Sequence, residues 1–130
     1  MARPILYDYF RSSAAYRVRI ALNLKGIDYE QRAISLVDGE QRQASYRALN
    51  PQGFVPVLEI DGHRLTQSLS IMVYLDQVYR NPPLMPADPA DGAHVRAMAL
   101  MVACDIHPLN NLRVLKYLQG TFGIDDASRD

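Results

Sequence analysis

Three predicted elements at the start of the chain limit the fold more than any other feature. Residues 4–9 place β-forming side chains at alternate positions, which predicts a strand. Ser12 and Ser13 are good N-caps for the helical spacing that follows, and Lys25-Gly26 closes that helix. Residues 29–36 predict a second strand. The order strand, helix, strand defines a βαβ unit.

A β-hairpin and another helix complete the pattern. A turn signal at residues 37–39 leads into a polar stretch that favours a short helix. Residues 55–60 then predict a strand, and the Asp-Gly pair at 61–62 predicts a two-residue hairpin turn into its neighbour. Residues 68–78 predict a helix with a mixed apolar face. The βαβ-ββα order indicates an α/β fold of the thioredoxin-like type, a mixed sheet with helices against it.

Proline marks the predicted boundary between two domains. Residues 81–91 contain four of the eight prolines and are predicted to link a thioredoxin-like domain, 1–80, to the start of an α-helical domain, 92–130. In the second domain a long amphipathic helix is predicted from about residue 92 to about residue 117, with a bend at Pro108. Its apolar side chains recur at three- and four-residue steps: Met98, Met101, Val102, Ile106, Leu109, Leu112 and Leu115.

Composition excludes several classes of function. Lys and Arg number 14, and Asp and Glu also number 14, so the formal net charge is zero and no nucleic-acid partner is expected. The apolar runs are too short for a secretory signal or a membrane span, so we expect a cytoplasmic protein with no membrane partner. Cys104 is the single cysteine and is expected to be a small buried residue. His63, His94 and His107 lack metal-ligand spacing, so no metal is predicted.

The start of the first predicted helix is the candidate site. Redox proteins with a thioredoxin-like fold carry a Cys-x-x-Cys pair there, whereas this chain has serine and alanine. A hydroxyl beside the free N–H groups and positive dipole end of a helix suits a thiolate supplied by another molecule. A thiol of pKa ~8.5 is more acidic in such a place. The alternative is that Ser12 and Ser13 only cap the helix.

Four stretches of the sequence resemble zeta-class glutathione transferases. They are RSSAAYRVRIALNLKGIDYE, ALNPQGFVPVLEIDG, QSLSIMVYLD and CDIHPLNNLRVLKYL, and the resemblance extends over essentially all 130 residues. The chain departs from the family pattern at Ala14, where the family often has cysteine, and at Tyr16, where tryptophan is usual. Neither change removes the serine pair or the aromatic character of the motif.

The resemblance implies glutathione as cofactor and suggests its contacts. Ser12 would donate to the glutathione sulfur, with Ser13 as an alternative or auxiliary donor. Arg17 would be a helper in the site or a structural salt-bridge partner, and Gln41 would contact the glycyl end of glutathione.

The hairpin and the helix after it would hold the rest of the tripeptide. The resemblance implies that Val55, before a cis-proline at Pro56, pairs its backbone with the cysteinyl unit like an added strand. The alternative is an ordinary edge-strand proline. Gln67 and Ser68 would bind the γ-glutamyl carboxylate at a helix N-terminus; Ser68 by itself would more commonly be a simple N-cap, and its place beside Gln67 in the family motif favours the binding role.

The family's substrates are cis-dicarboxylates with a conjugated enone, so the resemblance implies cationic groups nearby. Arg11 is the predicted carboxylate clamp, because a guanidinium binds both carboxylate oxygens. His107 and Asn111, four residues apart on the predicted helix, would face the substrate, and Asn111 would also contact glutathione. A structural role for His107, bonded to a backbone carbonyl, stays equally open.

The implied activity is the glutathione-dependent cis-trans isomerisation of maleylacetoacetate or maleylpyruvate in the catabolism of aromatic amino acids or other aromatic compounds. Thiolate addition, bond rotation and elimination would regenerate glutathione. Alternatives are a general glutathione-conjugating transferase and a glutathione-binding module without catalysis, because family members are usually much longer than 130 residues. The resemblance also implies a homodimer.

Overall fold

A computed structural model describes residues 3–125. The chain forms two compact units, Met1–Met85 and Pro86–Asp130. In the part of the chain that is described, no helix is long and apolar enough to cross a membrane.

The first unit is a four-stranded mixed sheet with helices. Its elements in chain order are β1 Ile5–Asp8, α1 Ser13–Leu24, β2 Glu30–Ala33, a 3₁₀ turn Glu40–Arg42, α2 Ala44–Arg47, β3 Val57–Ile60, β4 His63–Thr66 and α3 Ser68–Val78. The strand order is β2-β1-β3-β4, with β1 parallel to β2 and antiparallel to β3, and β3 antiparallel to β4. The predicted thioredoxin-like layout is therefore confirmed.

Local sequence explains where these elements end. Ser12 caps α1, and Gly26, with φ of +64°, adopts the left-handed conformation that ends a helix without a Cβ clash. The hairpin turn has positive φ at both Asp61 and Gly62, 53° and 76°, as a two-residue type I′ turn requires. Strands β1, β2 and β3 are each shorter than predicted, because propensity does not show where strand pairing stops.

Apolar side chains are buried on both faces of the sheet. Alternate residues of a strand point to opposite faces, so Leu6 of β1 enters one cluster and Tyr7 enters the other. The larger cluster joins the sheet to α1 and α3: Leu6, Val18, Ala21, Leu22, Leu58, Ile60, Ile71 and Leu75. The smaller one contains Tyr7, Tyr46, Val55 and Val57 and involves α2. Each large aliphatic side chain buried here contributes about 1.5–3 kcal/mol.

An ion pair with a buried lysine connects α1, α3 and the segment after α3. Lys25 Nζ, whose side chain is fully buried, donates to Asp76 Oδ1 at 2.6 Å and to the Pro82 carbonyl at 2.5 Å. The same Asp76 oxygen accepts from the Leu84 N–H at 2.7 Å. Partial burial opposes ionisation of Asp76, but the hydrogen bonds from Lys25 and the backbone outweigh it and lower its pKa. Residues 82–84 are thereby tied to the ends of α1 and α3.

The second unit consists of α4 Pro89–Leu100, a π-helical stretch Met101–Ile106 and α5 Leu112–Phe122. The prediction of one long helix from about 92 to about 117 is wrong. Helical structure begins earlier, because Asp88 caps α4 by accepting from the N–H groups of Ala90 and Asp91 at 2.9 and 3.0 Å. It is interrupted after Ile106, since Pro108 has no N–H to continue the hydrogen-bond ladder.

The expectation for Cys104 is also wrong. This residue lies in the π-helical stretch and is exposed. Many large apolar side chains of the second unit are exposed as well, among them Met98, Met101, Leu109 and Phe122. A cysteine on a helix that buries almost none of its side chains has no apolar surroundings to enter.

Candidate functional site

The N-terminus of α1 presents the serine pair. Ser12 is the N-cap, with φ −75° and ψ 114°, and its Oγ accepts from the Ala15 N–H at 3.2 Å. Ser13 is the first helical residue and is exposed. A hydroxyl that accepts through a lone pair keeps its own proton for another acceptor. Capping by Ser12 therefore leaves it able to donate to a ligand.

A hydrogen bond from Arg19 to the backbone of Phe10 stabilises the loop that carries Arg11 and Ser12. Arg19 donates from Nη2 to the Phe10 carbonyl at 3.1 Å, and its Nε lies 3.4 Å from Asp8 Oδ2. Gln31 Nε2 donates to the same Asp8 oxygen at 2.5 Å. Arg11 itself is exposed, so its guanidinium is accessible to a ligand.

Asp8 is a buried carboxylate that the sequence analysis did not identify. It is fully buried at the end of β1, and its Oδ1 has no hydrogen-bond partner among residues 3–125. Burial raises its pKa, against the opposing charge of Arg19 and the hydrogen bond from Gln31. The sequence analysis used only the alternate β-forming side chains of residues 4–9, and Asp8 is not one of them, so the pattern gave no sign that this aspartate would be buried.

The loop before β3 contains the predicted cis-proline and the main chain of Val55. The Val55–Pro56 peptide bond is cis. The Phe54 carbonyl accepts from Tyr46 Oη at 2.8 Å and from Asn50 Nδ2 at 2.9 Å. Val55 lies outside the strands and is buried. Within residues 3–125 its main chain makes no backbone–backbone hydrogen bond. Buried backbone groups are nearly always paired, so an extended ligand backbone is a natural partner.

Gln41 lies beside this loop. In the described part of the chain its Nε2 makes a single long contact, 3.4 Å to the Leu36 carbonyl, and its buried Oε1 has no hydrogen-bond partner. A Cβ at Gly53 would approach the Gln41 carbonyl oxygen to 2.9 Å, and Gly53 has φ of +67°. Glycine is therefore required for the loop to reach Gln41.

The start of α3 brings three predicted residues together. Ser68 is the first helical residue, is buried, and accepts through Oγ from Arg17 Nη1 at 3.0 Å. Gln67 precedes it with φ of +66° and ψ of 114°, a backbone conformation that residues with a Cβ rarely adopt. Gln67 Nε2 donates to Gln52 Oε1 at 3.0 Å. Arg17 thus contacts one of the predicted glutathione residues, and its role as a helper or as a structural partner stays a prediction.

The two predicted substrate residues of the second unit do not share a helix face. The N–H of His107 donates to the Val102 carbonyl at 2.9 Å, at the end of the π-helical stretch. Asn111 starts a new helix by accepting through Oδ1 from the N–H groups of Arg113 and Val114 at 3.0 and 3.3 Å. The i, i+4 argument for pairing them is therefore wrong, while their roles stay predictions.

Comparison with known proteins identifies the family. Residues 6–83 match the family model described as glutathione S-transferase, N-terminal domain. This chain belongs to the glutathione S-transferase family. A solved structure described as zeta-class is among those that it resembles. No group of three or more metal-binding side chains was found among the described residues.

Relatives and solved structures agree with this assignment. A probable maleylacetoacetate isomerase of Vibrio cholerae is 52% identical over all of this chain and 61% of its own length. A zeta-class maleylpyruvate isomerase structure superposes with a TM-score of 0.93 at 47% identity, over 95% of this chain and 58% of that one. A maleylacetoacetate isomerase from Methylobacterium extorquens AM1, with malonate and glutathione bound, gives 0.89 at 47% identity over 93% and 57%. The chain thus spans about three fifths of these relatives.

Proposed function

We propose that this chain binds glutathione and takes part in the cis-trans isomerisation of maleylacetoacetate or maleylpyruvate. The observation that carries the proposal is Ser12, which caps α1 and still has a hydroxyl proton to donate. The relatives named above as isomerases of these two compounds support the choice of substrate class. We further propose a cytoplasmic homodimer that serves the catabolism of aromatic amino acids or other aromatic compounds.

The residues of the first unit suit the three parts of glutathione. The unpaired main chain of Val55 matches the cysteinyl backbone. Ser68 and Arg17 offer donors to the γ-glutamyl carboxylate. Gln41 fits less directly, since its Nε2 must turn from the Leu36 carbonyl toward the glycyl carboxylate. Its buried, unpartnered Oε1 shows that the present orientation of this amide is not satisfied.

Bound glutathione supplies a thiolate that adds to the cis double bond of the substrate and leaves again after rotation, so no net oxidation or proton consumption occurs. The chain's task is to favour the ionised sulfur and to orient the substrate. The Ser12 hydroxyl and the N-terminal end of α1 lower the pKa of a thiol held there. Arg11 binds a substrate carboxylate, while His107 and Asn111 are proposed contributors from the second unit.

The thiol pKa of bound glutathione tests this proposal. Ultraviolet thiolate absorbance, followed against pH at saturating glutathione, should give a pKa at least a unit below the free value of ~8.5. Ser12→Ala should raise it by about a unit, Ser12→Thr should restore it because a hydroxyl returns, and Ser13→Ala should change it less. An unchanged pKa in Ser12→Ala contradicts the role of Ser12.

A glutathione-binding module without catalysis is the second candidate, because most of the residues proposed to contact glutathione lie in the first unit. Turnover of maleylacetone and of chlorodinitrobenzene separates the possibilities. Isomerisation of maleylacetone supports the main proposal, whereas activity on chlorodinitrobenzene alone indicates a general conjugating transferase. Binding of glutathione with neither activity indicates the module.

A further inference from the structure

Two glutamine side chains meet at the start of α3. Gln67 Nε2 donates to Gln52 Oε1 at 3.0 Å, although the residues are 15 apart in sequence. Both side chains are exposed, so the hydrogen bond contributes little to folding. Its direct effect is to orient the amide of Gln67, and Gln52 has no other role in the site described above.

The backbone conformation is constrained at both Gln52 and Gln67. The Gln52 N–H donates to Asn50 Oδ1 at 3.1 Å, and Asn50 is only 2% exposed and also holds the Phe54 carbonyl. Gln67 has φ of +66°, in a sparsely populated region for a residue with a Cβ. Such backbone persists where the surroundings over-determine it, and it is frequent at ligand clamps.

The hydrogen bonds made by Gln67 and Ser68 leave a free acceptor on the first residue and a free donor on the second. Because the Gln67 NH₂ group donates to Gln52, its Oε1 is left as an acceptor, and it receives no hydrogen bond within residues 3–125. Ser68 has the reverse arrangement, since its Oγ accepts from Arg17 and its proton is left to donate. The amino-acid end of a γ-glutamyl group carries an ammonium that only donates and a carboxylate that only accepts.

We propose that Gln52 is a positioning residue that sets the Gln67 amide so that Oε1 accepts from the γ-glutamyl ammonium. This inference rests on the proposed binding of glutathione. Gln52 thereby selects glutathione over peptides that lack the free amino group. A carboxylate in place of Gln52 preserves the orientation of Gln67, because it also accepts, whereas an apolar side chain of similar length removes the constraint.

Calorimetric binding of two peptides tests the proposal: glutathione and glutaryl-cysteinyl-glycine, which lacks only the amino group. Gln52→Met should weaken glutathione about threefold to tenfold, the worth of one neutral hydrogen bond, and weaken the analogue less than about twofold. Gln52→Glu should retain the preference for glutathione. Gln77→Glu adds the same negative charge at an exposed position of α3, so it is the control for the effect of charge alone.

A double-mutant cycle with Gln67→Met shows whether Gln52 acts through Gln67. In that background Gln52→Met should have no further effect on either peptide. The proposal is overturned if Gln52→Met leaves the preference unchanged, weakens both peptides equally, or still acts when Gln67 is absent. A wild-type chain that binds neither peptide instead refutes the proposed function, so the two failures are distinguishable.

Discussion

The two compact units of this chain differ in what stabilises them. Every buried apolar side chain among residues 3–125 belongs to the first unit, where the sheet is covered on both faces. In residues 86–125 the only buried residue is Gly92. The first unit therefore draws on the hydrophobic effect, whereas α4 and α5 depend on capping by Asp88 and Asn111 and on intrinsic helix propensity.

This difference teaches which parts of the proposed site are built within a single unit. Ser12, Arg17, Val55 and Ser68 are all fixed by hydrogen bonds or burial inside the first unit. Most of the residues proposed to bind glutathione therefore lie in the first unit, whereas Asn111 belongs to the second. Sites on rigid, packed elements hold ligand groups more precisely than sites on weakly packed ones. The contrast between the units can be tested by paired substitutions, one in each.

The largest expected effect comes from paired lysine substitutions. Lys25→Met leaves Asp76 without its buried partner and should lower the free energy of unfolding by roughly 3–5 kcal/mol. Lys116→Met, at an exposed position of α5, should change it by less than about 0.5 kcal/mol. Urea unfolding followed by circular dichroism measures both. Equal effects would show that the ion pair is not what distinguishes the first unit.

A leucine pair tests the apolar core and should give the next effect. Leu75 is fully buried between the sheet and α1, so Leu75→Ala should cost about 2–5 kcal/mol through lost burial and a cavity. Leu109 is 72% exposed, and Leu109→Ala should stay within about 0.5 kcal/mol. The same unfolding experiment applies. A cost above about 1 kcal/mol for Leu109→Ala would show that the second unit buries this side chain in solution.

The sequence predicted the parts of the molecule that depend on local signals. The serine cap of α1, the Asp-Gly turn and the succession of strands and helices along the chain each follow from a few adjacent residues or from alternation. The fold class followed from their order, and the family from motifs in the sequence. These features need no knowledge of which distant residues meet.

Features that depend on distant contacts could not be predicted. Gln52 approaches Gln67, and Tyr46 and Asn50 hold the Phe54 carbonyl, only because the sheet and α2 bring the loop into place. The helix break after Ile106 was underestimated, since a proline permits either a kink or a termination, and Asn111 decides for termination by capping α5. Burial of Asp8 likewise results from tertiary packing.

The smallest expected effect concerns pH, and it involves two carboxylates of the first unit with opposite pKa shifts. Asp76 has a lowered pKa, so between its folded value and its unfolded value near 3.8 the unfolded chain binds more protons. Its contribution is therefore present above about pH 4 and is lost as pH falls through the folded pKa. Asp8 has a raised pKa, so its contribution is present below about pH 4 and is lost as pH rises through the folded pKa.

Unfolding free energies measured from pH 3 to pH 7, roughly the range over which carboxylates titrate, separate these two terms. Asp76→Asn should flatten the fall in stability at acid pH, because the variant no longer gains a proton on unfolding there. Asp8→Asn should have the reverse effect, making stability rise more steeply with pH than in the wild type, since the opposing loss is removed. If both variants shift the slope in the same direction, the two carboxylates do not have the opposite pKa shifts that burial of Asp8 and the hydrogen bonds to Asp76 imply.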